Sequence, residues 1–542
     1  MKQGKKWTAA LAALLAVSLA ACSGSTAASG SESTAAASST SDIVNVGVTS
    51  SLSSLNPLLI GATEVDKYAQ SLEFLPLVEL NANNEFDYML ADSITTDDNL
   101  TFKIHINADA KWSDGQPVTA SDLEFTLIRL ASPVIANYGL DMSAMVGTSD
   151  ETGFLEEGAT SAEGVKVVDD KTLTLTMKYP FSMVTFLNSY GRYIETLPKH
   201  ILGDVAESDL SAYEWFNAPT VVDGPYQATA VDNQHYISYD ANASYWKGAP
   251  KISKLNIQVV DPAKVLAGLQ SGELDFVQQT MAAIPQEDYA GIEALSNVKA
   301  VYGDPITTQS MFINTQTVSD VRVRQAIQLA IDRKGLLQNL LNGKGEVDEG
   351  FLTSASPYYD STLQPLDQDV EKAKQLLADA GWDSNKELTF NVWSGDSTFV
   401  NGSAVVQQEL AAVGIKVNIK LLDLNSLMAA AGNHEFDLMA VQYPYAPIDP
   451  YPDVTWLLGG ETSWTGYESG AVDQAMNDSQ TLSDTEAVKK EYRIVDDDVQ
   501  QNVPMINLYV ISALGAVSTR LVNATPTVFG FFNNIQDWEI QK

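Results

Sequence analysis

The chain is poor in cysteine and histidine. Its 542 residues include one cysteine, Cys22, and four histidines, none of which pair at the spacing of metal ligands. Without further thiols no disulfide framework can form, and a chain of this length can bury a core without one. The sequence therefore argues against a zinc enzyme and implies neither a resident metal nor a cofactor.

Basic residues are also scarce. The chain has 32 Lys and Arg against 69 Asp and Glu, a formal net charge of −37. Removal of Lys2, Lys5 and Lys6, with no acid among them, would take the charge from −37 to −40. Nucleic acids and anionic lipid surfaces both select basic proteins. We therefore expect no nucleic-acid partner and no electrostatic adsorption to lipid.

Motifs of catalytic sites are missing too. The sequence has no G-x-S-x-G elbow and no phosphate-binding P-loop. Ser244 to Lys247 fits the S-x-x-K pattern of acyl-serine enzymes, but no K-T-G companion follows and turn packing explains the segment better. We predict that the protein is not an enzyme and has no catalytic residues.

The first 41 residues have the composition of an export signal followed by a tether. The lysines precede an apolar run over residues 9–21, which is shorter than the roughly 20 residues that span a bilayer. Leu19–Cys22 reads Leu-Ala-Ala-Cys and resembles a bacterial lipobox, in which the cysteine becomes the lipidated N-terminus. The alternative is an ordinary signal peptide with an incidental cysteine. We predict a lipoprotein signal peptide at 1–21, lipidation of Cys22, a flexible Ser/Ala/Gly-rich tether at 22–41, and a lipid-anchored location on the extracytoplasmic face of the cell membrane.

Strands and helices are mixed along the remaining chain. Period-two alternation predicts strands at Ile43–Val48, Phe102–Ile106, Leu173–Met177 and Lys416–Leu421. Apolar residues at helical spacing predict helices at Asp320–Leu341, at Val370–Ala380 between an Asp369 cap and a Gly381 stop, and at Ala404–Val413. A helix, a glycine and then a strand are typical of an α/β layer.

Eight short motifs carry the most information. Trp112–Asp122 reads as a turn followed by a helix cap at Thr119 or Ser121. The other seven, in order, are Ser54–Leu58, Leu197–His200, Asp223–Tyr226, Ala243–Pro250, Leu269–Asp275, Val321–Arg333 and Ala378–Trp382. Together they resemble the signature of the peptide/nickel-type (family 5) extracellular solute-binding lipoproteins of ABC importers. In the Asp223–Tyr226 motif, Asp223 stands where the family pattern has small residues.

The resemblance implies a fold and a partner. The fold would be an α/β periplasmic-binding-protein-like type II structure (cluster C), with two main lobes, a hinge and an extra third lobe. It implies lobe I at 42–84, 191–304 and 504–542, lobe II at 85–190, and lobe III at 305–503. A monomer would capture its ligand between lobes I and III and deliver it to a membrane permease that a separate ATPase drives.

The resemblance also implies a ligand-binding segment near Val441–Pro450. Peptide-binding members have an Asp four residues before the Pro of this segment, where it receives the terminal amine; that position here is Ala446. A buried ammonium without a carboxylate is costly, so a free-amine dipeptide mode is in question unless another acid, such as Asp449, takes the role. We predict that the ligand is contacted by Trp393, Tyr443, Tyr445, Asp449, Asn56 and Trp464.

Several alternatives stay open at this stage. Each aromatic residue could instead be core packing, and Asp449 could cap the turn before Pro450. The protein could present a peptide signal to a partner without importing it. The ligand could also be a non-peptide solute such as an oligosaccharide or a nickel complex. A secreted hydrolase acting through Ser244 is the remaining class.

Overall fold

The computed structural model describes residues 42–60, 64–137, 139–280, 283–459 and 463–541. The strands are β1 (Ile43–Val48), β2 (Val78–Leu80), β3 (Phe86–Tyr88), β4 (Ala91–Thr95), β5 (Thr101–Ile106), β6 (Val165–Asp169), β7 (Thr172–Thr176), β8 (Tyr226–Asp232), β9 (Tyr236–Ala241), β10 (Lys254–Val259), β11 (Phe276–Val277), β12 (Val298–Ile313), β13 (Glu387–Trp393), β14 (Lys416–Leu422), β15 (Leu438–Pro444), β16 (Met505–Ser518), β17 (Leu521–Val522) and β18 (Glu539–Ile540).

The helices are interleaved with these strands. They are α1 (Glu64–Ser71), α2 (Ala120–Leu130), α3 (Met183–Phe186), α4 (Lys199–Leu202), α5 (Glu207–Leu210), α6 (Val265–Ser271), α7 (Tyr289–Glu293), α8 (Val321–Ala330), α9 (Arg333–Leu341), α10 (Val370–Ala380), α11 (Ser397–Ala412), α12 (Leu424–Gly432), α13 (Tyr451–Leu458), α14 (Gly470–Ser479) and α15 (Thr485–Asn502). A π-helical turn follows α3 at Leu187–Gly191. This order confirms the predicted mixed α/β class.

A ten-stranded mixed sheet runs through the molecule in the order β14-β13-β15-β12-β16-β11-β1-β10-β9-β8. Strands β13, β14 and β15 form one half, and β11, β1, β10, β9 and β8 form the other. The two long strands between them, β12 and β16, are antiparallel to each other. The two halves of this sheet are therefore connected through two crossing strands.

The crossing strands are irregular where they pair. Their register shifts between Tyr302 and Pro305, between Pro305 and Thr307, and between Gln309 and Ser310. Bulges bend a strand and increase its local twist, so we expect the two strands to bend in this short stretch. The predicted boundary between lobes I and III, at 304/305, falls within it and stays a prediction.

Each part of the molecule has its own apolar core. One core surrounds Phe312 and Phe390 in the β13–β15 half, and another surrounds Tyr226 and Trp538 in the other half. A separate four-stranded sheet, β4-β5-β7-β6, packs around Phe102 and Trp112. Separate cores joined by few strands allow domains to move relative to one another.

Most of the predicted elements are confirmed to within a residue or two. The four predicted strands correspond to β1, β5, β7 and β14, and α10 begins and ends as predicted, with Asp369 accepting a hydrogen bond from the Lys372 N–H and Gly381 in the left-handed region. Thr119 caps α2, and Asp122 completes a reciprocal capping box. Helix caps and strand alternation, which are local features of the sequence, were therefore enough to predict these segments.

Two helix predictions were wrong in extent. The single helix predicted from Asp320 to Leu341 is two helices, α8 and α9, because Ile331 is extended and Asp332 caps the second one by accepting from the Gly335 N–H. Helix α11 begins at Ser397 instead of Ala404, because Asp396 accepts from the Phe399 N–H and provides an earlier cap. In both cases an aspartate cap overrode the apolar periodicity.

Candidate ligand-binding site

A cavity of about 470 Å³ lies between the two halves of the large sheet. From the β1 half it is lined by residues after β1 and β11, including Thr49 and Gln278. From the β15 half it is lined by Tyr445, Ala446 and Asp453, which follow β15. Its volume lies in the range of about 300–1,000 Å³ that is typical of small-molecule sites.

The topology of the sheet explains why these segments meet. Strand β1 is parallel to β11, so their carboxyl ends, at Val48 and Val277, point to the same edge of the sheet. In open α/β sheets, ligands bind outside the carboxyl ends of strands. Gln278 follows the end of β11 directly, which places its side chain at the cavity although it is 230 residues from β1 in the sequence.

Gln278 has a buried amide without a partner. The residue is 2% exposed, and among the described residues neither amide atom of its side chain has a hydrogen-bond partner. A buried polar group left unpaired costs about 1–3 kcal/mol. Because Gln278 lines the cavity, this amide offers both a donor and an acceptor to a ligand group.

The π-helical turn brings an arginine to the cavity wall. The Arg192 Nε donates to Glu79 Oε1 at 2.6 Å, Lys67 also pairs with Glu79, and all three residues are buried. Burial alone would raise the pKa of Glu79, but the two cations hold it below its ordinary value. Arg192 therefore lines the cavity while its Nε is held by a carboxylate that it shares with Lys67.

Asp449 forms hydrogen bonds to the same turn. Thr185 Oγ1 donates to Asp449 Oδ1 at 2.9 Å, and Asn188 Nδ2 donates to Asp449 Oδ2 at 3.0 Å. Burial raises the pKa of Asp449 to about 6, although both hydrogen bonds oppose the shift. The carboxylate therefore connects the segment after β15 to the π-helical turn, and it does not line the cavity.

Tyr445 is the one of the six predicted contact residues that lines the cavity. Its hydroxyl accepts a hydrogen bond from the Thr353 N–H at 2.6 Å, and its ring packs at 5.9 Å from that of Phe351. These two contacts fix the orientation of the ring. Ala446 lines the cavity beside it and presents only a methyl group where the resemblance expected an acid.

The remaining predicted residues are packed elsewhere. Tyr443 and Trp464 both pack on Phe312, at 6.0 and 5.4 Å between ring centroids. Trp393 is 8% exposed in the same core. Asn56 is buried, donates to the Leu210 carbonyl at 2.9 Å and accepts from the Leu58 N–H at 3.0 Å. Tyr443, Trp464 and Trp393 therefore lie in an apolar core, which is the alternative given above for the aromatic residues.

Asp453 is the acid that the sequence reasoning missed. It lies in the first turn of α13, is partly buried, and lines the cavity. Burial, followed by the nearby charge of Asp449, raises its pKa to about 8. Within the described residues its carboxyl has no ion-pair partner. Two features of the sequence could have indicated this residue. It is an acid three residues after Pro450, and Pro452 before it favours the start of a helix.

The described ranges contain no group of three or more His, Cys, Asp or Glu residues placed to hold a metal ion. No helix in the same ranges is both long and apolar enough to cross a bilayer. The predicted lipidation site, Cys22, lies outside the described residues.

Comparison with known proteins points to one family. The profile of the bacterial extracellular solute-binding proteins, family 5 (middle region), matches residues 85–464. The oligopeptide-binding protein AppA of Bacillus subtilis is 27% identical over 524 residues, covering 92% of this chain and 91% of that protein.

Solved structures share the fold at lower identity. AppA from Bacillus subtilis in complex with a nonapeptide aligns with a TM-score of 0.74 at 23% identity, covering 92% of this chain and 99% of that one. NikZ from Campylobacter jejuni in complex with Ni(L-His) aligns with a TM-score of 0.74 at 21% identity, with the same coverage. The same architecture therefore accommodates ligands of very different chemistry.

Proposed function

The chain belongs to the bacterial extracellular solute-binding proteins of family 5, and from this membership we propose that it captures a short peptide and delivers it to the permease of an ABC importer. The observation that carries the proposal is the 470 Å³ cavity between the two halves of the sheet. The sequence of the chain also matches an oligopeptide-binding protein along 92% of its length, which supports a peptide as the ligand.

The chemistry of the cavity suits a peptide. The Gln278 amide can pair with a peptide N–H or C=O, and Thr49, Ser50 and Thr280 add hydroxyl groups to the same lining. Tyr445 and Phe529 supply apolar surface for side chains. Among the described lining residues there is no histidine, which places a peptide ahead of a directly ligated nickel ion.

Capture would use bending of the crossing strands. A ligand that contacts Gln278 on one side and Tyr445 on the other bridges the two halves and would favour their approach. Such a ligand shifts the population toward the closed state by its difference in affinity for the two states. The register shifts near Pro305 provide a place where the backbone can bend.

The proposed mechanism makes and breaks no covalent bond. Ser244 is exposed in a turn, where its N–H donates to Asn242 Oδ1 at 3.0 Å. The Lys247 Nζ donates to the carbonyl of Tyr88 at 3.1 Å. The S-x-x-K match is thus explained by a turn and a main-chain hydrogen bond, and we propose no hydrolase activity.

The protein would act while attached to the outer face of the cell membrane. The export signal at 1–21 and the Leu-Ala-Ala-Cys motif support lipidation of Cys22, and 22–41 would act as the tether. The partners in this proposal are the peptide, the permease subunits with their ATPase, and the membrane through the lipid; the receptor itself would be a monomer.

Mass spectrometry of molecules that co-purify with the protein tests the ligand class. The protein is purified without denaturant from cells grown in peptide-rich medium, and its ligands are released by acid. We expect peptides of a few residues in near-stoichiometric amount. Recovery of a sugar or a nickel complex in place of peptides would contradict the proposal.

A further inference from the structure

The four-stranded sheet β4-β5-β7-β6 packs with the β1 half of the molecule through apolar side chains. Its core around Phe102 and Trp112 also contains Phe74, which follows α1, and Tyr245, which lies between β9 and β10. Within the described residues this core contains no side chain from β12 to β15 or from helices α8 to α15. Closely packed cores move as units, so we expect the small sheet to move with the β1 half.

Polar contacts join this small sheet to the β15 half. Gln480 directly follows α14, whose Met476 lies in the core of the β15 half. The Ser182 N–H donates to Gln480 Oε1 at 3.1 Å, and Asn99 Nδ2 donates to the Gln480 carbonyl at 3.2 Å. Asn99 lies between β4 and β5, and Ser182 caps α3. Two hydrogen bonds therefore connect parts of the molecule whose apolar cores are separate.

Each side of this contact is oriented by its own neighbours. The Phe181 N–H donates to the Asn99 carbonyl at 2.8 Å, which holds Asn99 beside Ser182. On the other side, Gln480 Nε2 donates to Ser479 Oγ at 3.2 Å, which directs the opposite amide atom, Oε1, toward Ser182. Groups that are already oriented lose little conformational entropy when they meet. The contact can therefore form and break without rearrangement on either side.

The same helical segment also carries a contact to Asp449. Helix α3 begins after Ser182, and Asn188 in the π-helical turn that follows donates to Asp449. Asn188 and Ser189 line the ligand cavity. The β15 half is therefore hydrogen-bonded to both ends of a segment that forms part of the cavity wall. Movement of the two halves away from each other would break these bonds.

We propose that Gln480 acts as a clasp: its hydrogen bonds to Ser182 and Asn99 form when the two halves close on a ligand, break when they open, and thereby set how long the ligand is retained. This inference rests on the proposed capture of a peptide and deepens it. A hydrogen bond between neutral groups has a modest net strength, because both groups bond to water once they separate. The clasp therefore slows release of the ligand without preventing it.

Hydrogen–deuterium exchange of the Ser182 N–H reports the clasp directly, because this N–H is bonded to Gln480. Ligand-free protein, prepared by unfolding and refolding, is compared with and without an untreated casein digest, and exchange is resolved to single residues by fragmentation in the mass spectrometer. We expect the Ser182 N–H to exchange more slowly when the digest is present. The Phe181 N–H, which is bonded within its own part of the molecule, serves as the internal control and should not change.

Two variants of the same helical region test how the clasp affects retention. Protein loaded with casein-digest peptides is diluted, and the peptides that stay bound are quantified by mass spectrometry at successive times. Gln480→Ala should release them about fivefold faster, the factor expected from one hydrogen bond of ordinary net strength. Gln474→Ala also removes a glutamine amide, but one that is exposed and bonded to Asp478 within α14, so the release rate should stay that of the unaltered protein.

The outcomes distinguish the clasp from the function on which it rests. Slower exchange at Gln278–Thr280 in the cavity without any change at Ser182 would overturn the clasp and leave peptide capture intact. Release from Gln480→Ala at the rate of the unaltered protein would overturn it as well. No slowing at either place would overturn the proposed function and the clasp with it. The exchange comparison uses the unaltered protein, so it decides the question even if Gln480→Ala fails to fold.

Discussion

Asp449→Asn tests the hydrogen bonds between the segment after β15 and the π-helical turn. The carboxylate accepts one hydrogen bond from Thr185 and one from Asn188. An Asn side chain keeps one acceptor oxygen but presents its NH₂ group where the other hydrogen bond was. Leaving one buried donor unpaired costs about 1–3 kcal/mol.

The same substitution removes a pH-dependent term. The pKa of Asp449 is about 6 in the folded protein and about 3.9 in an unfolded chain. Above pH 4 the unfolded form is ionised while the folded form keeps its proton, so stability falls as pH rises through this window. At about 1.4 kcal/mol per unit, the loss reaches about 3 kcal/mol near pH 7.

Asp449→Asn should therefore be less stable than the unaltered protein at pH 4.5 and should approach or exceed its stability at pH 7.5. Urea unfolding followed by tryptophan fluorescence at four pH values measures the gap in unfolding free energy. Glu486→Gln, at an exposed position of α15, serves as the control and should show no such trend. A gap for Asp449→Asn that stays constant from pH 4.5 to 7.5 would refute the reasoning.

The remaining predictions concern the cavity, the core and the anchor. Gln278→Leu should leave the melting temperature nearly unchanged or raised, because an unpaired amide is lost, and should weaken peptide binding at least tenfold by calorimetry; unchanged affinity would remove this residue from the site. Trp393→Ala should cost about 3–5 kcal/mol in unfolding free energy, as is usual for a buried Trp, and a variant of normal stability with weak binding would reinstate Trp393 as a ligand contact. Cys22→Ala should move the protein to the aqueous phase in detergent partition; continued recovery in the detergent phase would contradict lipidation.

Local signals in the sequence predicted much of the fold. The alternation in Ile43–Val48 and the caps of α10 and α2 depend on residues within a few positions of each other, so one sequence is enough to read them. The break between α8 and α9 was missed because the apolar stripe continues across Asp332. There the cap competed with the periodicity, and only the backbone shows which one prevails.

The site was harder to predict because it is assembled from distant segments. Tyr445, which lines the cavity, was named from its segment, but Gln278 meets it only through the order of strands in the sheet. The aromatic residues around Tyr443 attracted attention by their composition, yet they form the core behind β15. Asp453 is inconspicuous among 69 acids until the cavity is known.

Hydrogen–deuterium exchange tests the central claim most directly, namely that ligand is held between the two halves of the sheet. Refolded, ligand-free protein is compared with and without untreated casein-digest peptides. We predict slower exchange in two separate segments, the one following β11 at Gln278–Thr280 and the one following β15 at Pro444–Ala446. Protection in only one of the two segments, or only at residues outside the cavity, would contradict the account.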